Sequence, residues 1–567
     1  MDLAKVVFEG FRGVNTDLPP YRLPEGFLAG LVNGWLRFGQ MQRRGAFVRV
    51  ISLPTDFQQF GLFHRAQLSI GECFFLGYFD GTNWRLVRFK EGDTSWTNLG
   101  TLPGRPTCAV TYKGWVYICT TGGMMKTDGT NLFKWGIDAP TTSPSATAGD
   151  AGNLNGTYQW RVTFVRKQGT YVVESNPSPA SAPLSLSNRA ANLTIPISSD
   201  PQVNARRIYR YGGTRTTWDL VAEIPDNTTT TYTDNTPDSN LVGAPTLSFY
   251  HDPPPVATIA VVHRERIFLA GNPSYPTRVY FSTFGEPEYF PPSTPDDPYG
   301  GSWFEVGQQD GQPITGFATV GTMLAIFKPK SCWLLRGESQ ADFVLQPFGN
   351  IGVASQQTIA QYAGMAFLWD GTNLYLYRGE SFENLSQTQF QKALLSNPPS
   401  VIREDLANLV LWLVSNDRIH VFDLVLNAYI GHWTVTNTTF YDATGTDPSA
   451  GQVAYFLTSQ GLLKLNWTAT QDFDGSQISQ SITFPTIRTP AEILKRCYSV
   501  RAEGSFSGGS ITIKADGNAW DINLVSGIVV KSYAPPNMVG QSIESQATIV
   551  GTLDRLELEV FNLRSVV

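Results

Sequence analysis

Met365-Ala366-Phe367-Leu368-Trp369-Asp370-Gly371-Thr372-Asn373-Leu374-Tyr375-Leu376-Tyr377-Arg378-Gly379-Glu380-Ser381 holds the repeat that decides the fold. An apolar run, an Asp-Gly-Thr-Asn turn and an aromatic run read as a β-hairpin, because Asp and Asn cap tight turns and Gly accepts positive φ. The same tetrapeptide stands at Asp80-Gly81-Thr82-Asn83 and at Asp128-Gly129-Thr130-Asn131. Arg336-Gly337-Glu338-Ser339 lies 42 residues before its copy at Arg378-Gly379-Glu380-Ser381. That same offset lays Lys328-Pro329-Lys330-Ser331 over the third turn without a gap, Phe327 over Trp369 and Trp333 over Tyr375.

Further turns fall at Asn416-Asp417-Arg418 and Ser459-Gln460-Gly461, so turns mark residues 80, 128, 328, 370, 416 and 459. The spacings within each run are 48, 42, 46 and 43 residues. A four-stranded propeller blade repeats every ~40–50 residues, whereas leucine-rich and ankyrin repeats are shorter and need helices. The pattern predicts an all-β chain built on a β-propeller of six to eight blades. The three Asp-Gly-Thr-Asn turns and Lys328–Ser331 are expected to occupy equivalent hairpins. An irregular sandwich with similar hairpins is the competing reading.

Another hairpin is read at Gly271-Asn272-Pro273-Ser274, which leaves about 100 residues more than one blade needs after residue 128. An immunoglobulin-like or fibronectin-type sandwich has about that length. Residues 139–250 are therefore expected to form an inserted fibronectin-III/Ig-like sandwich, folding independently and projecting from the propeller. Residues 1–55 read as an extended segment with a propeller-closing strand. Residues 56–138 and 251–480 read as propeller. The alternation in 481–567, as in Leu556-Glu557-Leu558-Glu559-Val560, reads as a C-terminal β-sandwich-like domain.

Composition agrees. Charged residues make up 16% of the chain, against about 25% in a typical soluble domain, and aromatic residues with Gly, Pro, Thr, Ser and Asn fill the difference. The 42 basic and 48 acidic residues leave a net charge of −6. No global basic field attracts nucleic acid, which argues against a tight DNA binder but suits a channel through which DNA slides. The start of the chain lacks the apolar core of a signal peptide, and runs such as Val256–Val262 are too short to span a bilayer. The protein is expected to be made in a cytoplasm.

Residue constellations suggest no chemistry. The five cysteines (Cys73, Cys108, Cys119, Cys332, Cys497) form no CxxC pair and read as buried thiols; the five histidines (His64, His251, His263, His420, His432) show no i, i+4 spacing. No G-x-S-x-G elbow or phosphate loop occurs. Asp296-Asp297 and Asp472/Asp474 are weak candidates for a glycosidase pair or for calcium, and read better as solvated turns. Trp96, Trp303 and Trp433 could be sugar platforms but are expected to pack between blades. The expectation is a non-enzyme without catalytic residues, cofactor or metal. The turn residues Asp80, Gly81, Asp128, Gly129, Asp370 and Gly371 are structural. The proline-punctuated stretch 290–301, with Asp296, Asp297 and Tyr299, is the candidate gate loop.

Phrases near the N-terminus carry a resemblance. Gly13-Val14-Asn15-Thr16-Asp17-Leu18-Pro19-Pro20, then Leu23-Pro24-Glu25-Gly26, Asn33 and Arg43-Arg44-Gly45, resemble the opening of propeller proteins of short-tailed bacteriophages. Arg264-Glu265-Arg266-Ile267-Phe268-Leu269-Ala270-Gly271 is similar to a blade phrase of that group. The chain thus resembles the tail nozzle, tail tubular protein B-like or tail hub proteins over about residues 10–130 and 258–470. The resemblance implies a structural virion protein in the phage tail: a hexameric ring below the portal and adaptor, contacting tail fibres or spikes. It would continue and gate the channel through which double-stranded DNA is ejected without specific binding. The alternatives are a host-receptor or glycan-binding tail adhesin and, less well supported, a propeller glycosidase.

Overall fold

The computed structural model describes residues 3–37, 39–294, 297–444, 453–488 and 493–564. Seven sets of four strands form the propeller. Blade 1 is Gln59–Leu68, Gly71–Phe79, Trp84–Lys90 and Thr97–Leu102. Blade 2 runs from Pro106–Tyr112 to Leu132–Lys134, blade 3 from Ile259–His263 to Ser302–Glu305, and blade 4 from Gly316–Val320 to Val344–Gly349. Blade 5 runs from Ile359–Tyr362 to Phe382–Asn384 and blade 6 from Val401–Asp405 to Ala428–Trp433. Blade 7 takes three strands from Phe440–Thr444, Tyr455–Thr458 and Gly461–Asn466, and its outer strand from the N-terminal segment, Ala46–Ile51. The innermost strands adjoin one another in blade order, and the seventh adjoins the first. The ring is closed.

Each blade is covered on both faces, so its middle strands are apolar throughout rather than alternating. Arg266–Ala270, Val410–Val414 and Ile419–Asp423 are buried at every position. The cores lie between blades: Phe63, Phe74, Tyr455 and Leu457 join blades 7 and 1, and Leu62, Leu86, Val116 and Ile118 join blades 1 and 2.

The Asp-Gly-Thr-Asn turns share one local structure. The Asp80 carboxylate accepts the Thr82 and Asn83 amides at 2.8 and 2.7 Å, Asp370 accepts Thr372 and Asn373 at 2.7 Å, and Asp128 accepts Thr130 and Asn131 at 2.9 and 2.7 Å. Gly81, Gly129 and Gly371 have φ of 99°, 89° and 97°. Their places differ, which corrects the expected equivalence. The turns at 80, 328 and 370 join second to third strands, whereas the turn at Asp128 joins the third to the fourth strand of blade 2. The equivalent turn of blade 2 is Thr120-Thr121-Gly122-Gly123, where the Thr120 hydroxyl accepts the Gly122 and Gly123 amides at 3.2 and 3.1 Å. A side-chain-capped turn is a local device that serves any tight hairpin.

The insert is one six-stranded sheet. Its long strand Ser145–Gln168 pairs first with Leu184–Thr194 and then with Ala205–Gly212, so both flanks share a core around Trp160, Val162, Leu193 and Ile208. Arg210 and Asp234, both buried, pair at 2.8 Å within it. The insert does not stand clear of the propeller. Tyr171 donates to the buried Glu288 of blade 3 at 2.5 Å, Lys126 of blade 2 pairs with the same carboxylate at 2.7 Å, and the Gly136 amide reaches it at 2.7 Å. Arg166 lies over Trp115 and Phe133 at 4.9 and 4.2 Å. A buried ion pair that Tyr171 also joins holds the insert against blades 2 and 3, in place of the expected projection.

The C-terminal strands Ile493–Ala515 and Ser542–Arg564, 23 residues each, pair along their lengths. The rest of this sheet includes N-terminal strands: Leu3–Glu9 pairs with Ser542–Arg564, and Gly30–Val32 joins Gln480–Thr483 to the outer strand of blade 6. Residues 481–567 therefore do not close a domain by themselves, and their core runs on into blades 5–7.

Candidate functional site

The propeller axis encloses a cavity of about 480 Å³, walled by the innermost strands. One side-chain chain crosses it. Gln357, just before the first strand of blade 5, donates from Nε2 to the Thr107 carbonyl of blade 2 at 3.2 Å. Arg403 of blade 6 donates to the Gln357 side-chain and main-chain oxygens, the latter at 3.2 Å, and pairs with buried Asp442 of blade 7 at 3.1 Å. The bar Thr107–Gln357–Arg403–Asp442 thus ties four blades across the axis. Gln356 and Gln361 bind the neighbouring strand of blade 4, accepting the Phe317 and Thr319 amides at 2.7 and 2.6 Å. A DNA duplex, whose major groove alone is ~12 Å wide, has no path here.

Burial sets the electrostatics of the axis. It pushes the Glu404 carboxyl up, against smaller opposing effects from backbone amides and Arg403, and it also pushes up Asp442, which Arg403 partly offsets. It lowers His64 to about 4, with Arg403 adding to the effect, and His64 Nε2 sits 2.8 Å from the Thr111 hydroxyl. At neutral pH the axis holds neutral imidazole and a countered guanidinium. Among the described residues, both guanidinium groups lining it, Arg65 and Arg403, face acidic partners, Glu72 and Asp442.

The other candidates disperse. Asp472 pairs with Arg44, and Asp474 caps Ser476, so they form no acid pair. Asp296 lies outside the described residues. Asp297 and Tyr299 sit in the loop between the third and fourth strands of blade 3, away from the axial cavity. Buried Arg266 donates to the Ser282 and Gly300 carbonyls at 2.6 and 2.9 Å, and Gln340 of blade 4 donates to the Asp297 carbonyl at 2.7 Å. These contacts hold Asp297 and Gly300 against blades 3 and 4. Trp433 is buried against Trp35 and Trp412, Trp96 donates to the Ser52 carbonyl at 2.8 Å, and the half-exposed Trp303 is covered by Arg278 at 3.6 Å. The five cysteines are buried, and among the described residues no group of three or more metal-ligating side chains forms. No described helix is long and apolar enough to cross a membrane.

The N-terminal phrases prove to be a clamp. Asn15 accepts the Asp17 and Leu18 amides at 3.0 and 2.9 Å and donates to the Thr388 carbonyl at 2.8 Å. Asp17 caps the helix Gln391–Ser396 by accepting the Gln391 and Lys392 amides at 3.0 and 2.9 Å. Asn33 accepts Arg44 Nε at 3.0 Å and the Thr434 amide at 2.8 Å. Arg44 meets both oxygens of Asp472, at 2.8 and 2.6 Å. A short phrase of polar residues thus locks blades 5, 6 and 7 to the start of the chain. The axial bar is not legible in the sequence because each of its four blades contributes one residue, 39–250 positions from the next, with no shared motif.

No family model and no curated protein matches the chain. Solved structures similar to it are propellers. The C-terminal WD40 domain of Sif2 is 10% identical with a TM-score of 0.34, covering 74% of this chain and 98% of that one. The WD40 domain of Pan2 from Neurospora crassa is 9% identical, covering 76% and 97%, with a TM-score of 0.28. A catalytically inactive virginiamycin B lyase from Staphylococcus aureus, solved with quinupristin, is 7% identical, covering 71% and 99%, with a TM-score of 0.27. The chain is a seven-bladed propeller protein with an inserted β domain on the strength of its own strand pairing.

Proposed function

We propose that the protein is a structural component of a short-tailed phage tail, a nozzle or hub subunit that forms part of the DNA conduit and has no catalytic role. The observation that carries this reading is the clamp. The residues that resemble phage propeller proteins, Asn15, Asp17, Asn33 and Arg44, are those that bind the chain's start to three blades. They form a mechanical lock rather than a reaction centre. The barred axis, its Arg403 paired with Asp442, supports the same view, since DNA would pass between copies of a ring and not through a propeller. The expected sixfold copy number follows from matching the assembly above it.

Imaging of purified virions tests the proposal. Density for six copies on the tail axis below the portal and adaptor is the expected result. A trimer at the tail periphery would favour the adhesin reading, and absence of the protein from virions would overturn the proposal.

A further inference from the structure

We infer that copies of this chain join edge to edge through two unpaired strands of the C-terminal sheet, the end of Leu3–Glu9 in one copy pairing with the end of Gly527–Tyr533 in the next. Four strands lie side by side in the order Leu3–Glu9, Ser542–Arg564, Ile493–Ala515, Gly527–Tyr533, each antiparallel to its neighbour. Among the described residues, neither outer strand pairs on its far side. Each is seven residues long. Unpaired edges present rows of backbone donors and acceptors that template pairing with another chain, and soluble proteins normally cover or blunt them. These two are among the edges this sheet leaves open, and they are the pair with matching length and opposite direction.

Polarity fits. The two edge strands run in opposite directions, so placing the last strand of one copy beside the first strand of another continues an antiparallel sheet. The contact is heterologous: one edge meets the other, and repetition closes into a ring if the rotation allows. A patch that paired with itself would give only a dimer.

Side chains select the register. On the solvent face, the first strand carries Lys5, Val7 and Glu9, and the last carries Val529, Lys531 and Tyr533. Val529 and Tyr533 are 50% and 62% exposed. Pairing Glu9 with Lys531 of the neighbouring copy sets Phe8 opposite Ser532 and Val7 opposite Tyr533, so the strand ends Val7–Glu9 and Lys531–Tyr533 overlap with an aliphatic–aromatic pair beside an opposite-charge pair. Both combinations favour cross-strand pairing. Within one copy the two charges have weak partners: Lys531 lies 3.7 Å from Glu559, and Glu9 lies 3.4 Å from Arg555. They can turn to a neighbour at little cost.

This mode of joining rests on the proposed ring only for closure, and its test stands apart from virion location. The cysteine pair Val7→Cys/Tyr533→Cys in the full-length chain, mildly oxidised, is expected to give a ladder of covalent multimers. Either single cysteine variant should give at most dimers, and the five native thiols are buried. Charge reversal is the second arm. Glu9→Lys or Lys531→Glu alone should weaken self-association by up to about fivefold per interface, and the double swap should restore it. Circular dichroism and melting curves check that these exposed substitutions leave the fold intact. Absence of a ladder at millimolar protein, or a double swap no better than the singles, overturns the inference. A ladder from a protein missing from virions would sink the tail proposal alone; a tail ring with these strands apart would sink only the edge contact.

Discussion

Removing the carboxylate of Asp472 should open the propeller at blade 7. Arg44 is buried and makes five hydrogen bonds, two to Asp472 and one each to Asn33, Gly45 and Thr434. Asp472 also accepts the Phe47 amide at 2.9 Å, at the start of the strand that completes blade 7. Asp472→Ala leaves a guanidinium uncompensated at about 2% exposure, and breaking a buried pair from one side costs about 3–5 kcal/mol. The double variant Arg44→Met/Asp472→Leu removes both charges but leaves the Phe47 amide and two carbonyls without partners, at about 1–3 kcal/mol each in the worst case. Its cost should fall below the sum of the singles by about 2–3 kcal/mol. Hydrogen exchange reads the lesion where it occurs. Protection of Ala46–Ile51 amides should drop by about 100- to several-thousand-fold in Asp472→Ala, at about tenfold per 1.36 kcal/mol, while blades 3 and 4 stay protected. Protection in that strand within about fivefold of the native protein, or additive single and double variants, would refute the latch.

Three further outcomes follow from the buried polar groups. Glu404→Gln should stabilise the protein at pH 7: burial raises the folded-state pKa, so this group's contribution is present below the ordinary carboxylate range and lost as pH rises. The gain over native protein, read from urea midpoints, should vanish at about pH 4. His64, His263 and His432 are held at about 4 and His420 at about 3 by burial, so their contribution is present above the ordinary value of 6.5 and is lost progressively as pH falls towards 4. Denaturant midpoints should fall over that window, and a flat profile would contradict the burial. Replacing residues 139–250 with a short linker should cost soluble yield, because it uncovers Trp115 and leaves Glu288 without Tyr171; Tyr171→Phe alone should destabilise by about 1–3 kcal/mol. Full yield of the truncated protein would return the insert to the status of a loose appendage.

Six of the seven second-to-third-strand turns, at 80, 271, 328, 370, 416 and 459, were legible in the sequence, and side chains cap those at 80, 271, 370 and 459. Asp128 misled because the cap is local while the blade position is set by tertiary pairing. The first-to-second-strand turns were not read. Those of blades 1, 2, 4 and 5 carry positive-φ glycines at Gly71, Gly114, Gly321 and Gly364, while blade 3 places Arg264 and Glu265 at positive φ. The docking of the insert rests on Glu288, a single charged residue 117 positions from its partner Tyr171. The axial bar is invisible for the same reason: its members meet only after the ring has closed.

That closure sets an order of events during synthesis. The strand Ala46–Ile51 leaves the ribosome early, yet its partner Gly461–Asn466 lies about 420 residues later. At about 5–20 residues per second, the nascent chain holds an unmatched strand for roughly 20–80 s. Throughout that interval Phe47 and Val48 are free to find the wrong neighbour, and two polysomal chains growing side by side can exchange first strands. Slower translation of the middle blades, or chaperone capture of the first 55 residues, would shift the balance between correct closure and swapped dimers.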